Sequence, residues 1–116
     1  MLIAILLSGM SVSAPSVNNN GEALYHSCKA AIRLADDPQR FPDSELPLTA
    51  DCTAYLAGFG DAGAQYGNFC IGTTTLLTLA RVYVAYMDQH PTLFDKPQKL
   101  GVMGTFSESY SCPVSK

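Results

Sequence analysis

The chain has 116 residues, 47% hydrophobic and 15% charged, too apolar for a disordered segment and too short for more than one domain. Its formal net charge is -3, and its seven Lys and Arg residues form no basic run, which argues against a nucleic-acid partner. A domain of this size buries a modest core, so covalent staples help it.

Leu2 to Leu7 form an apolar run, followed by the small residues Ser8, Gly9, Ser11, Ser13 and Ala14. This is the pattern of an export signal over residues 1–14 with its cleavage zone. The run is far shorter than the ~20 residues of a membrane span, so no stable span is expected. No cysteine follows it, which removes a lipoprotein anchor. No Lys or Arg precedes it, which leaves the true translation start open. Residues 15–20 read as a flexible leader ending in an N-cap at Asn20, and residues 21–116 as a single helical domain.

From Gly21 to Ala35 the apolar spacing is helical, with Leu24, Cys28, Ala31 and Ala35 on one face. Asp36, Asp37 and Pro38 stop this helix. The stretch to Pro47 holds three prolines and, with nearby Asp51, five acidic residues, including Asp43 and Glu45, and reads as an exposed acidic loop. A second helix is predicted with Thr49 as its cap and with Cys52, Tyr55, Leu56 and Phe59 as its core-facing stripe. Gly58, Gly60 and Gly63 weaken its second half by roughly 1 kcal/mol each relative to Ala. Either another backbone approaches that face closely, or the helix frays into the loop that runs to Phe69. Within this loop Gln65, Tyr66 and Asn68 are candidate contacts, since tyrosine is enriched at binding hot spots.

Thr73 to Asp88 is the strongest helix, apolar around most of its circumference, and is expected to be the central buried element. His90-Pro91 ends it, because the residue before proline is pushed out of helical geometry. The last helix is predicted to start at Asp95, where Asp-Lys-Pro-Gln matches a capping box. Val102, Phe106 and Tyr110 recur along it, and it stops before Cys112-Pro113. No useful strand-like alternation and no internal repeat occurs. The expected fold is all-α: a compact four-helix domain stapled by two disulfides.

Cys28, Cys52, Cys70 and Cys112 make an even count with no CxxC spacing, which favours two disulfides over metal or redox chemistry. Three connectivities are open. Helix geometry prefers Cys28–Cys52 across the acidic loop and Cys70–Cys112 at the ends of a hairpin of the last two helices. In the chain-entropy model each closure contributes roughly 3–4 kcal/mol.

No catalytic residue, metal site or cofactor is expected. His26 and Cys28 lie two apart on a helix and point away from each other, unlike a Cys–His catalytic pair. His90 sits at a helix C-terminus, where the dipole favours imidazole. The acidic loop lacks EF-hand spacing, and its prolines break that geometry.

These residues resemble the Tai-type immunity proteins, which protect Gram-negative bacteria against amidase effectors delivered by type VI secretion. The resemblance lies in the exported leader, a helix carrying Cys28, the run from Cys52 through Tyr55 to Gly58, Phe69-Cys70, the run from Tyr86 to His90-Pro91, and the closing Cys112-Pro113. It covers nearly all of residues 15–116. The chain departs from the pattern at Ile71, where a proline is common, and at Gly101 and Gly104, where stronger helix formers are expected. The resemblance implies a periplasmic, non-enzymatic inhibitor, often a homodimer. It would push a loop into the cleft of a secreted peptidoglycan amidase effector. The loops nominated are the acidic one (Asp36, Asp37, Asp43, Glu45) and the one carrying Gln65, Tyr66 and Asn68. Two other classes fit the composition: a periplasmic acid-stress chaperone and an envelope assembly module.

Overall fold

The computed structural model describes residues 20–113. The export signal and all of the leader except Asn20 lie outside them. Four helices carry the described residues: α1 (Gly21–Asp36), α2 (Leu46–Gln65), α3 (Leu76–Gln89) and α4 (Gln98–Ser109). No strand occurs among these residues, only isolated bridges between Asn20 and Pro97 and between Phe69 and Ser111. Both preferred disulfides are present, Cys28–Cys52 and Cys70–Cys112, with Cα–Cα distances of 5.0 and 4.8 Å.

The start of α1 is capped as expected, with the Ala23 amide donating to Asn20 Oδ1 at 2.9 Å. The start of α2 differs from the expectation. It begins at Leu46 with Pro47 in the first turn, and the Thr49 hydroxyl donates back to the Leu46 carbonyl at 2.7 Å instead of capping. Proline's fixed φ prepares that turn without a side-chain cap. Nor does Asp95 cap α4, which starts three residues later after Pro97. The Lys96 carbonyl there accepts from the Gly21 amide at 2.8 Å, so this stretch is held to the start of α1.

α1 packs against α2 and α3, and α4 packs against both α3 and α1. The core comprises Leu24, Cys28 and Ala31 of α1, Cys52 and Leu56 of α2, Leu79, Ala80, Tyr83 and Met87 of α3, Val102 and Phe106 of α4, and Phe69 from the loop before Cys70. Ala35, expected on the buried face of α1, is exposed. α3 is central but not wrapped all round: Leu76 and Ala85 are exposed, and Leu77 and Val82 only half-buried. Four helices leave one side of α3 uncovered, so its full ring of apolar residues overstates its burial.

The glycines of α2 and α4 have packing reasons. Gly60 receives the Ile71 side chain, whose Cδ1 would lie 2.9 Å from an added Cβ, and Gly63 receives the ring of Phe69. The close approach predicted for α2 is therefore real, but side chains make it, and the helix runs on to Gln65. On α4, Met87 Sδ would lie 2.7 Å from a Cβ at Gly101, and the Tyr86 phenol occupies the space beside Gly104. Small residues there let α3 and α4 cross closely.

Candidate functional site

The two nominated loops stand at opposite ends of α2. Its 20 residues, at about 1.5 Å each, separate them by about 30 Å. A cleft that took one as a plug would not reach the other.

At the first end the acidic stretch is ordered into two 3-10 turns, Pro38–Arg40 and Asp43–Glu45. Its carboxylates are mostly engaged within the chain. Arg81 Nη2 of α3 donates to Asp36 Oδ1 at 2.6 Å, Arg33 Nη2 donates to Glu45 Oε1, and Arg40 Nε pairs with Asp37 Oδ2 at 3.5 Å. Asp43 has no ion-pair partner among the described residues. The surface therefore carries interleaved signs, with three of its carboxylates matched by arginines. A cleft of about 220 Å³ opens between Arg33, Asp36, Asp37, Arg40, Phe41 and Pro42. Arg40 lies within the loop, but Arg33 and Arg81 lie 12 and 45 residues from their partners, beyond a charge count along the loop.

Nearby lies an apolar groove of about 290 Å³, lined by Ala31, Leu34 and Ala35 of α1, Thr49 and Thr53 of α2, and Leu77 of α3. Leu46, one turn before Thr49, and Leu76 are exposed.

At the second end α2 stops in a Schellman turn: the Asn68 amide donates to the Gly63 carbonyl at 2.7 Å, and the Gly67 amide to Ala64 at 3.1 Å. Gly67 supplies the required left-handed residue at φ 76°. Phe69 then turns inward over Gly63, its ring 6.0 Å from that of Phe59 and 5.3 Å from that of Phe106. Tyr55 stacks on Phe59, and Tyr110 meets Phe106 edge-on, which completes an aromatic buttress. On this base Tyr66 stands 76% exposed, a degree of exposure that no packing role explains. Gln65 and Asn68 beside it are also exposed. A hollow of about 150 Å³ lies next to the ring, floored by Phe59, Ala62, Gly63 and Phe69. The tip is uncharged, aromatic and pre-shaped.

The histidines take structural places. His26 is a surface residue 3.6 Å from Glu22, and its neighbour Cys28 is bonded to Cys52. His90 stacks on Tyr86 with ring centroids 3.9 Å apart, and its Nδ1 lies 2.7 Å from the Tyr86 carbonyl. Tyr83, fully buried, donates its hydroxyl to the Gly21 carbonyl at 3.1 Å, and burial drives its ionisation well above the ordinary tyrosine range. At the surface Tyr25 donates to Asp88 Oδ1 at 2.6 Å, and that hydrogen bond raises its pKa. Among the described residues no helix is long and apolar enough to cross a membrane.

A family model described as Rap1a immunity proteins matches residues 20–112, which spans all four helices and both disulfides. No curated protein and no solved structure matches the chain.

Proposed function

The chain belongs to the Rap1a immunity proteins, a type VI secretion immunity family, and from that premise we propose that it inhibits a peptidoglycan amidase effector, as the Tai-type proteins do. In this reading residues 1–14 direct export, residues 21–116 form one periplasmic domain, and the protein performs no catalysis itself. It protects by occlusion. The Tyr66 tip enters the effector's cleft and excludes the peptidoglycan substrate, with Gln65 and Asn68 hydrogen-bonding at its sides.

The observation that carries this choice of loop is the exposed Tyr66 ring on a buttressed turn. A rigid aromatic delivers contact area at little entropic cost, because its backbone is already held. The acidic turn offers less. Asp36, Asp37 and Glu45 already hold arginines, and Asp43 has no ion-pair partner among the described residues.

The test is inhibition of peptidoglycan lysis by candidate amidase effectors, with binding measured alongside. Tyr66→Ala should weaken binding by about 2 kcal/mol or more, roughly thirty-fold, while thermal stability stays within about 0.5 kcal/mol. Asp43→Lys should change binding less than about three-fold. A Tyr66→Ala variant that still inhibits fully would refute the docking assignment.

A homodimer would form through the apolar groove at the other end. Near that groove lie the ion pairs Arg33–Glu45 and Arg81–Asp36, and side chains of both signs can meet their opposites across a two-fold contact. Both Tyr66 tips would then point outward. Leu77→Glu should convert the dimer to monomer in sedimentation; a wild-type chain that sediments as a monomer would remove this element.

A further inference from the structure

The two disulfides occupy opposite environments. Cys28 and Cys52 are fully buried between α1 and α2, whereas Cys70 is exposed and Cys112 half-buried at the edge of the aromatic end. The outer bridge joins two short segments that little else holds together. Residues 70–75 cross from the end of α2 to the start of α3 through Gly72, at φ 58°, and a turn in which the Thr74 amide donates to the Ile71 carbonyl. Their ties to the C-terminal segment are one backbone hydrogen bond, from the Cys70 amide to the Tyr110 carbonyl at 2.8 Å, and the bridge between Phe69 and Ser111. Of residues 70–75, Ile71 packs on Gly60, and Cys70, Gly72, Thr73 and Thr75 are exposed.

We propose that Cys70–Cys112 is a redox latch: it is reduced while Cys28–Cys52 stays intact, and its reduction opens residues 70–75 and 110–113 without unfolding the helices. A thiolate of a small dithiol attacks the sulfur of Cys70, an exposed residue, and releases Cys112 as a thiolate. The second thiol of the reductant then attacks the mixed disulfide and releases Cys70. The bridge gains two electrons and, after protonation, two protons, and the reductant leaves as a cyclic disulfide. The buried pair offers no such approach.

The latch bears on inhibition because Phe69, the residue before Cys70, seats the Tyr66 turn. With the bridge closed, Phe69 is held from both sides. With it open, Phe69 keeps its packing on Gly63, Phe59 and Phe106 but loses its tether on the Cys70 side, and part of the pre-organisation of Tyr66 is lost. Binding competence would then depend on whether the compartment is oxidising. This consequence rests on the proposed docking of Tyr66; the latch itself does not.

The experiment titrates the oxidised full chain with dithiothreitol, alkylates the thiols and maps them by peptide mass. Cys70 and Cys112 should be labelled at reductant concentrations that leave Cys28 and Cys52 bonded, with helical circular dichroism unchanged. In that selectively reduced form the hydrogen-bonded amides of the segment, Cys70 and Thr74, should exchange about ten-fold faster or more, while those of the α1–α2 pair keep their protection. Cys70→Ser/Cys112→Ser should reproduce the pattern, and the selectively reduced wild type serves if that variant does not fold. Simultaneous reduction of both bridges, or unchanged exchange at Cys70 and Thr74, would overturn the latch. The opened form should inhibit about ten-fold less well. Full inhibition by a form whose segment has opened would sever the link to docking. Tyr66→Ala with the bridge closed tests the docking reading separately.

Discussion

The two ends of α2 are built from different forces. At its N-terminal end three arginines pin an acidic turn through exposed ion pairs, and one half-buried aromatic, Phe41, lies against them. At its C-terminal end Tyr55, Phe59, Phe69, Phe106 and Tyr110 pack ring to ring beneath a glycine-closed turn. Exposed ion pairs are screened and each contributes ~1 kcal/mol or less, whereas buried aromatic contacts are insensitive to salt and large. The contrast teaches where a stiff binding element can stand. A tip that must hold its shape before meeting a partner belongs over packed rings, and charge fixes the position of a turn more loosely.

The most severe way to break the contrast is Phe106→Ala. The ring is fully buried against Phe59, Phe69 and Tyr110, so its loss should cost about 3–5 kcal/mol in urea unfolding and loosen the Tyr66 turn. Gly63→Ala should follow, at about 1–3 kcal/mol, because the added Cβ displaces the Phe69 ring. Partner binding should fall with it although Tyr66 is untouched.

Between the ends, Tyr83→Phe removes the hydrogen bond to the Gly21 carbonyl and should cost about 1 kcal/mol near neutrality. Its signature is in alkali. The folded pKa of Tyr83 is raised above the unfolded value of about 10, so its contribution is complete below pH ~10 and is lost as pH climbs toward the folded pKa. Stability of the wild type should therefore decline above pH ~10, and Tyr83→Phe should flatten that decline. A variant with the same alkaline slope would assign the effect to other tyrosines. The smallest effect belongs to the charged end. Arg33→Ala should change stability by about 1 kcal/mol or less, and the difference should shrink in 1 M salt, while Tyr66-dependent binding holds.

Much of this architecture was legible in the residues. Asn20 and His90-Pro91 mark real helix boundaries because caps and prolines act locally. The disulfide pairing followed from the placement of helix ends, with Cys28 and Cys52 flanking one connection and Cys70 and Cys112 bracketing α3 and α4. Thr49 and Asp95 misled because a cap-like residue competes with a nearby proline, and Pro47 and Pro97 set both starts. For the candidate site, the loop around Tyr66 was visible as a tyrosine among glycines and amides. Its stiffness was not, since that depends on Phe106 and Tyr110, distant in sequence. The acidic loop misled for the same reason. Its neutralising partner Arg81 lies 45 residues away, and a charge count along the chain cannot include it.

The glycine pair of α4 bears on the order of folding. Gly101 and Gly104 each disfavour helix by about 1 kcal/mol relative to Ala, and Thr105, Ser107 and Ser109 share the same 12 residues. Helices this short are marginal alone even when rich in alanine. α4 is thus expected to gain its helix as Tyr86 and Met87 settle onto those glycines, after α3 has formed. Substitutions along α4 should speed unfolding while leaving the folding rate nearly unchanged, the kinetic mark of an element that docks last.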